Sequence, residues 1–110
     1  MERNKSFLAG NVGNDPKVTE FESGKAVATF SIAESTHQKD VDGKRPVVWH
    51  SIECWNSNIV KNITNFLKKG DNVDIEGYIK YKNWEDNDGV KRTSTIIVAT
   101  EVNRLNRREK

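Results

Sequence analysis

The chain has 110 residues, a length that suits one domain and leaves little room for a second. Hydrophobic residues make up 35% and charged residues 31%, which excludes the low-hydrophobicity, high-charge composition of a disordered chain. The formal net charge is only +2, so a nucleic-acid partner must be argued from where the basic residues lie, and the single cysteine, Cys54, excludes an intrachain disulfide and a cysteine-based zinc site.

Turn residues divide the N-terminal third into short extended segments. Residues 5–12 form the first predicted strand, which ends at the turn signal Gly13-Asn14-Asp15-Pro16. Residues 26–33 alternate apolar and polar side chains with the period of two that is typical of a half-buried strand. Residues 18–21 are expected to pair back onto that second strand as a hairpin arm.

A polar loop over residues 37–46 precedes the third predicted strand, residues 47–55. From Asn58 the apolar period changes to that of one helix face, carried by Ile59, Val60, Ile63, Phe66 and Leu67. Three residues are able to cap the start of this helix: Asn56, Ser57 or Asn58. Gly70 marks its end.

Strand character returns at Val73 and continues, through the turn Asp86-Asn87-Asp88-Gly89, into a last β-branched run over residues 93–102. Five strands with one helix between the third and the fourth is the element order of the OB-fold. The sequence therefore predicts an all-β protein, a five-stranded Greek-key barrel in residues 1–105, followed by a short basic polar end at residues 106–110.

Aromatic and basic side chains share faces on two of these strands. Residues of equal parity lie on one side of a strand, which groups four residues of the fourth strand: Tyr78, Lys80, Lys82 and Trp84. On the third strand Trp49 and Trp55 share a face, opposite the inward register of His50, although Glu53 lies between them. Stacking of a base on such a ring is sequence-tolerant and worth about 1–3 kcal/mol, so this pattern predicts a surface for unpaired nucleic acid.

Other interpretations remain open for these residues. The tryptophans are also suited to a subunit or protein interface, in a recruitment module, and the lysines to a solvated strand. Single-stranded RNA is an alternative ligand because stacking discriminates weakly. The carboxylates of Glu85, Asp86 and Asp88 cluster in a turn without a paired histidine or lysine, so no catalytic residue, metal, cofactor or enzyme activity is predicted. No apolar run approaches a signal peptide or membrane span, and we expect a cytoplasmic protein without a membrane partner.

Several stretches, in chain order, resemble the bacterial and phage single-stranded-DNA-binding protein family. They are Phe7-Leu8-Ala9-Gly10-Asn11-Val12-Gly13-Asn14-Asp15-Pro16, Trp49-His50, Leu67-Lys68-Lys69-Gly70, Ile75-Glu76-Gly77 and the hairpin from Trp84 to Arg92. The resemblance implies sequence-independent binding and protection of single-stranded DNA in replication, recombination and repair.

By that resemblance, base-stacking positions fall on Trp49, Trp55 and Trp84, and basic positions along the path of the strand fall on Lys69, Lys80 and Lys82. The predicted DNA-binding residues also include Tyr78, Lys91 and Arg92. The family assembles as homotetramers, so a tetramer is expected, with a dimer as the alternative. His50 is then expected near a subunit contact, and Phe7 and Leu8 are assigned to the same interface.

The chain departs from the family pattern at two places. Where the family often has a further stacking tryptophan, this chain reads Ser35-Thr36-His37-Gln38-Lys39. Where the family continues into a flexible tail with an acidic tip, this chain ends with the basic Arg107-Arg108-Glu109-Lys110. If this is the native C-terminus, tail-mediated recruitment of enzymes is not expected; if the protein continues beyond it, nothing follows about recruitment.

Overall fold

The computed structural model describes residues 4–35, 41–44 and 46–105. Residues 36–40, which include the start of the predicted polar loop, lie outside the described residues. The basic end at residues 106–110 also lies outside them. The described elements follow the chain as β1 (Ser6–Val12), β2 (Lys17–Glu20), β3 (Ala26–Ser35), β4 (Val47–Cys54), α1 (Ser57–Phe66), β5 (Asn72–Glu85) and β6 (Lys91–Arg104).

The strands form one sheet in the order β1-β5-β6-β4-β3-β2, and a further pairing closes it into a barrel. In that closure Val12 of β1 lies opposite Ile32 of β3. The pairs are antiparallel except β4 with β6, which run parallel with Ser51 beside Ile96. This is the OB-fold that the sequence predicts. The predicted hairpin arm is β2, so the predicted third, fourth and fifth strands are β4, β5 and β6.

Side chains alternate between the inside and the outside of the barrel along each strand, and the inward ones form the core. Inward positions of β1, β3, β4, β5 and β6 carry small and branched apolar side chains together with the ring of Phe30, and α1 adds its apolar face to them. The most deeply buried members are Ala28, Ile32, Ile52, Cys54, Ile63, Leu67, Val73 and Ile75. Burial raises the pKa of the Cys54 thiol to about 12, so the thiol stays protonated and packs as a small apolar group.

Two glycines let backbone pass close to backbone. The carbonyl oxygen of Ala33 lies 2.5 Å from the place that a Cβ of Gly10 would occupy, at the point where β1 meets β3. A Cβ at Gly77 would overlap the carbonyl oxygen of Val98 on β6. Any larger residue at either position would push neighbouring strands apart.

The helix α1 begins at an asparagine cap. The side-chain oxygen of Asn56 accepts hydrogen bonds from the backbone N–H groups of Asn58, at 2.9 Å, and Ile59, at 3.2 Å, which settles the choice among the three predicted caps. Val60 and Ile63 are buried against the barrel, as the apolar period predicts. Within residues 4–35, 41–44 and 46–105, no helix has the length and apolar character needed to cross a bilayer.

Candidate nucleic-acid interface

The outer ends of β5 and β6 form a two-stranded ribbon that extends past the rest of the barrel. Pairing of β1 with β5 stops at Gly77, and β4 pairs with β6 only at residues 96–98. Residues 81–85 and 91–95 pair only with each other, and none of them is buried. We call these two segments the ribbon.

One surface runs without interruption from the ribbon onto the barrel. The register places Trp84 beside Arg92, and Lys80 beside Ile96. Ser51 of β4 lies on the other side of the same Ile96. Residues of equal parity therefore continue across three strands. We call this surface the aromatic face; its members are Trp49, Ser51, Glu53, Tyr78, Lys80, Lys82, Trp84, Arg92, Ser94 and Ile96, with Trp55 following β4. The predicted grouping of aromatic and basic residues on one side of β5 is confirmed.

The rings on this face are open to solvent. Trp49 is 61% exposed, Trp84 43% and Trp55 41%. Tyr78 is exposed to a similar extent. Large exposed rings that share a surface are unusual on a soluble protein unless a ligand or a partner covers them.

The ring of Trp49 lies against Gly13. A Cβ at Gly13 would overlap a carbon of the indole, so the turn after β1 provides the space that the ring occupies. The same turn is tied to β3, because the side-chain oxygen of Asn14 accepts from the backbone N–H of Ser31 at 3.0 Å and from its hydroxyl at 2.7 Å. Trp49 therefore rests on a fixed support while most of its surface remains exposed.

Trp55 is oriented by two neighbours. Its indole Nε1 donates to Oε1 of Glu53 at 2.9 Å. The ring of Phe21, from the β2–β3 turn, stacks on it with centroids 5.8 Å apart and 14° between the planes. Glu53 thus has a structural role on the aromatic face, although its charge opposes a phosphate. The indole keeps 41% of its surface exposed beside this stack.

Asp86 organises the tip of the ribbon. Its carboxylate accepts from the backbone N–H groups of Val90, at 2.9 Å, and Asp88, at 3.0 Å, and from Nε of Arg92 at 2.9 Å. The hydrogen bond from Val90, followed by that from Arg92, lowers the pKa of Asp86 below its usual 3.8. The same contact orients the guanidinium of Arg92, which lies opposite Trp84 in the register of the ribbon.

Two predicted DNA-binding residues lie off the aromatic face. Lys91 pairs with Glu85 and has the opposite parity to Arg92, so it projects from the other side of the ribbon. Lys69 follows α1, and its backbone N–H donates to the Asp15 carboxylate at 2.8 Å. Lys69 therefore borders the turn that supports Trp49.

The predicted subunit residues separate into surface and interior. Phe7 is 73% exposed. His50 is half-buried, with Nε2 3.2 Å from Oε1 of Glu34 on the neighbouring strand. Leu8 is only 8% exposed and belongs to the core, because inward parity on β1 turns it into the barrel. Leu8 nevertheless borders the same surface depression as Phe7 and His50, and its assignment to the subunit interface stays a prediction.

Sequence reasoning missed Phe21 and Asp86. Phe21 was assigned only to the hairpin arm, and its one signal is an aromatic residue at the start of a polar turn. Asp86 was grouped with acidic turn residues, although Asp-x-Asx-Gly turns commonly use a first aspartate as backbone acceptor. Across the described ranges, no group of three His, Cys, Asp or Glu side chains is placed to hold a metal ion.

The closed barrel and its exposed aromatic and basic face define an OB-fold protein of the type that binds unpaired strands. Residues 3–105 match the model of the single-strand binding protein family, so the chain belongs to this family, which consists of binding proteins rather than enzymes.

Two similar proteins extend this comparison. The chain is 38% identical over 105 residues to single-stranded DNA-binding protein 1 of Chlorobaculum tepidum; the match covers 93% of this chain and spans 64% of that relative's length. Among solved structures it resembles the Plasmodium falciparum SSB in complex with ssDNA, with a TM-score of 0.86 and 29% identity over 96% of this chain and 97% of that one.

We expect the pKa of Asp86, followed by NMR of its carboxyl carbon, to lie below 3.8. Since the folded pKa is lower than the unfolded one, the carboxylate stabilises the folded protein above pH 3.8, and this contribution is lost as pH falls through the folded pKa. Arg92→Ala should raise the pKa while leaving it below 3.8, because the Val90 hydrogen bond remains. Lys91→Ala, which removes a cation from the opposite side of the ribbon, should not change it. An unchanged pKa in Arg92→Ala would contradict the contact.

Proposed function

We propose that this protein binds single-stranded DNA without sequence preference and protects it during replication, recombination and repair. The observation that carries the proposal is the aromatic face, where exposed rings on β4, β5 and the ribbon share one surface with basic side chains. Membership of the single-strand binding protein family and the likeness to an SSB seen with ssDNA support the ligand.

The outward residues of β5 include rings for base stacking and ammonium groups for phosphate contacts. Successive outward residues of a strand stand roughly 6.6 Å apart, a spacing comparable with the reach between neighbouring nucleotides. Tyr78 and Trp84 offer rings at the two ends of the outward row, and Lys80 and Lys82 offer ammonium groups between them. An aromatic ring stacks on any base, and an ammonium group donates to any phosphate, so the row binds a strand without reading its sequence.

Charge is concentrated where the strand would pass. The whole chain carries only +2, yet Lys80, Lys82 and Arg92 lie together on the aromatic face. Asp86 binds Nε of Arg92 and so orients the guanidinium. Each phosphate contact that releases a counterion from a single strand contributes about −0.7 to the slope of log affinity against log salt concentration.

We expect Trp49→Ala and Trp84→Ala each to weaken binding of an unstructured thymidine oligonucleotide by about 1–3 kcal/mol, roughly 5- to 150-fold, because each removes a stacking platform. The measurement is a fluorescence titration at low and high salt, with quenching of the remaining tryptophans in each variant. Tyr81→Ala is the control, since it removes a ring that is at least as exposed as either tryptophan from the opposite side of the ribbon.

The outcomes of this titration separate the candidate functions. No binding by the native protein at low salt would refute the proposal and favour a recruitment module whose tryptophans contact protein. Equal affinity for uridine and thymidine oligonucleotides would extend the ligand to single-stranded RNA. Equal losses from Tyr81→Ala and Trp84→Ala would show that both sides of the ribbon contact the strand.

Glu53→Gln should strengthen DNA binding by about 0.2–1 kcal/mol, or about 1.4- to 5-fold, at low salt. The amide oxygen of glutamine still accepts from Trp55 Nε1, so the substitution removes a charge without freeing the ring. Glu101→Gln, at an exposed residue outside the aromatic face, is the control. Weaker binding by Glu53→Gln would show instead that the carboxylate itself is needed to orient Trp55.

The protein is further proposed to act as a homo-oligomer, a tetramer with a dimer as the alternative, in the cytoplasm at the nucleoid. A depression of about 390 Å³ at one end of the barrel supports a contact surface; Phe7, Trp49, His50 and Ile79 contribute to its lining. Sedimentation equilibrium should give a mass of four chains, and Phe7→Ser should lower it because it removes exposed apolar area from that surface. A native protein that sediments as one chain would refute the assembly.

A further inference from the structure

A groove outside the aromatic face opens between the β2–β3 turn and α1. Its volume is about 990 Å³. Phe21 and Lys25 contribute from the turn, Lys61 and Thr64 contribute from the helix, and Trp55 stands at one end of β4 beside them. The groove is thus built from two stretches that are distant in the sequence, the β2–β3 turn and the segment that runs from Trp55 into α1.

The groove combines aromatic and cationic groups. Lys25 and Lys61 come from opposite walls, both are exposed, and neither forms an ion pair with another described residue. Among the described residues that line the groove, Glu20 is the one with an acidic side chain. Val60 and the half-buried Ala26 make part of the lining apolar. A ligand with flat apolar groups on an anionic backbone matches this combination.

Trp55 connects this groove with the aromatic face. Its Nε1 is bound to Glu53 on that face, while its ring also lines the groove and carries the stacked ring of Phe21. Phe21 itself is 45% exposed, so its outer surface remains available beyond the stack. A strand that leaves Trp55 toward the turn therefore meets a second ring and then two ammonium groups.

We infer that this groove is a second segment of the strand-binding surface, which takes the nucleotides that follow the base at Trp55. Phe21 supplies an apolar surface for a base, and Lys25 and Lys61 contact phosphates from the two walls. The inference rests on the proposed function and adds to it a longer binding site. An acidic peptide would also satisfy the two lysines, but continuity with the aromatic face favours the same DNA strand.

The test compares thymidine oligonucleotides of about 6 and about 16 nucleotides, near the two ends of the range that one OB-fold covers. Lys25→Ala/Lys61→Ala should weaken binding of the longer strand about tenfold at low salt and reduce its salt slope by about 1.4, which is two contacts of 0.7. Binding of the shorter strand should change less than about twofold, because the aromatic face accommodates it alone.

Two further variants separate the ring from the charge. Phe21→Ala should also weaken binding of the longer strand but leave its salt slope unchanged, since it removes no cation. Lys5→Ala/Lys68→Ala is the control, because it removes the same number of charges from positions that line neither the groove nor the aromatic face. It should leave the difference in affinity between the longer and the shorter oligonucleotide unchanged.

The outcomes distinguish this inference from the function on which it rests. If native protein binds neither oligonucleotide, the proposed function fails. If native protein binds both, and the groove variants bind both as tightly as native protein does, the function stands and the groove is not part of the strand path. Capture of an acidic peptide by the native groove, together with that second result, would reassign the groove to a protein partner.

Discussion

Closure of the barrel depends on one close approach of two backbones. Gly10 brings β1 against the carbonyl oxygen of Ala33, and a Cβ there would prevent the pairing of Val12 with Ile32 that joins the first strand to the third. Once the barrel is closed, every inward position must be filled by a side chain of limited size. The core takes the ring of Phe30 at an inward position of β3, whereas the tryptophans occupy outward positions or follow the end of a strand. The aromatic face is therefore the outer side of the closed barrel.

Periodicity was sufficient to predict the elements and the sharing of faces. The alternation along β5 correctly grouped Tyr78 with Trp84, and the helical period correctly placed Ile63 in the core, because both depend only on local geometry. Periodicity does not predict contacts between elements that are distant in the sequence. The stack of Phe21 on Trp55 depends on how a turn and a strand end meet across the barrel, and no local pattern encodes that distance. The same alternation would have placed Lys91 on the opposite side of the strand from Arg92, although both residues are predicted to bind DNA.

Several contacts orient the binding groups before any ligand arrives. Gly13 supports Trp49, Glu53 and Phe21 hold Trp55, and Asp86 holds Arg92. Ordering a long side chain on binding costs about 0.5–1.5 kcal/mol, so groups that are already ordered retain more of their interaction energy with a strand. These contacts explain why the carboxylates of Glu53 and Asp86 lie on or beside a surface that is proposed to bind an anion. Each is tied to a ring or a cation that it positions.

The buried thiol has a consequence for chemical reactivity. The thiolate form attacks disulfides and alkylating reagents, and a pKa of about 12 leaves almost none of it in Cys54 near neutral pH. The core also excludes reagents from the sulfur, which is fully buried. Since the sequence contains no other cysteine, the folded chain is expected to be inert toward mild oxidants and maleimides. A cysteine introduced on the ribbon would then react alone, and a dye attached there would report the motion of a strand across the protein without removal of the native residue.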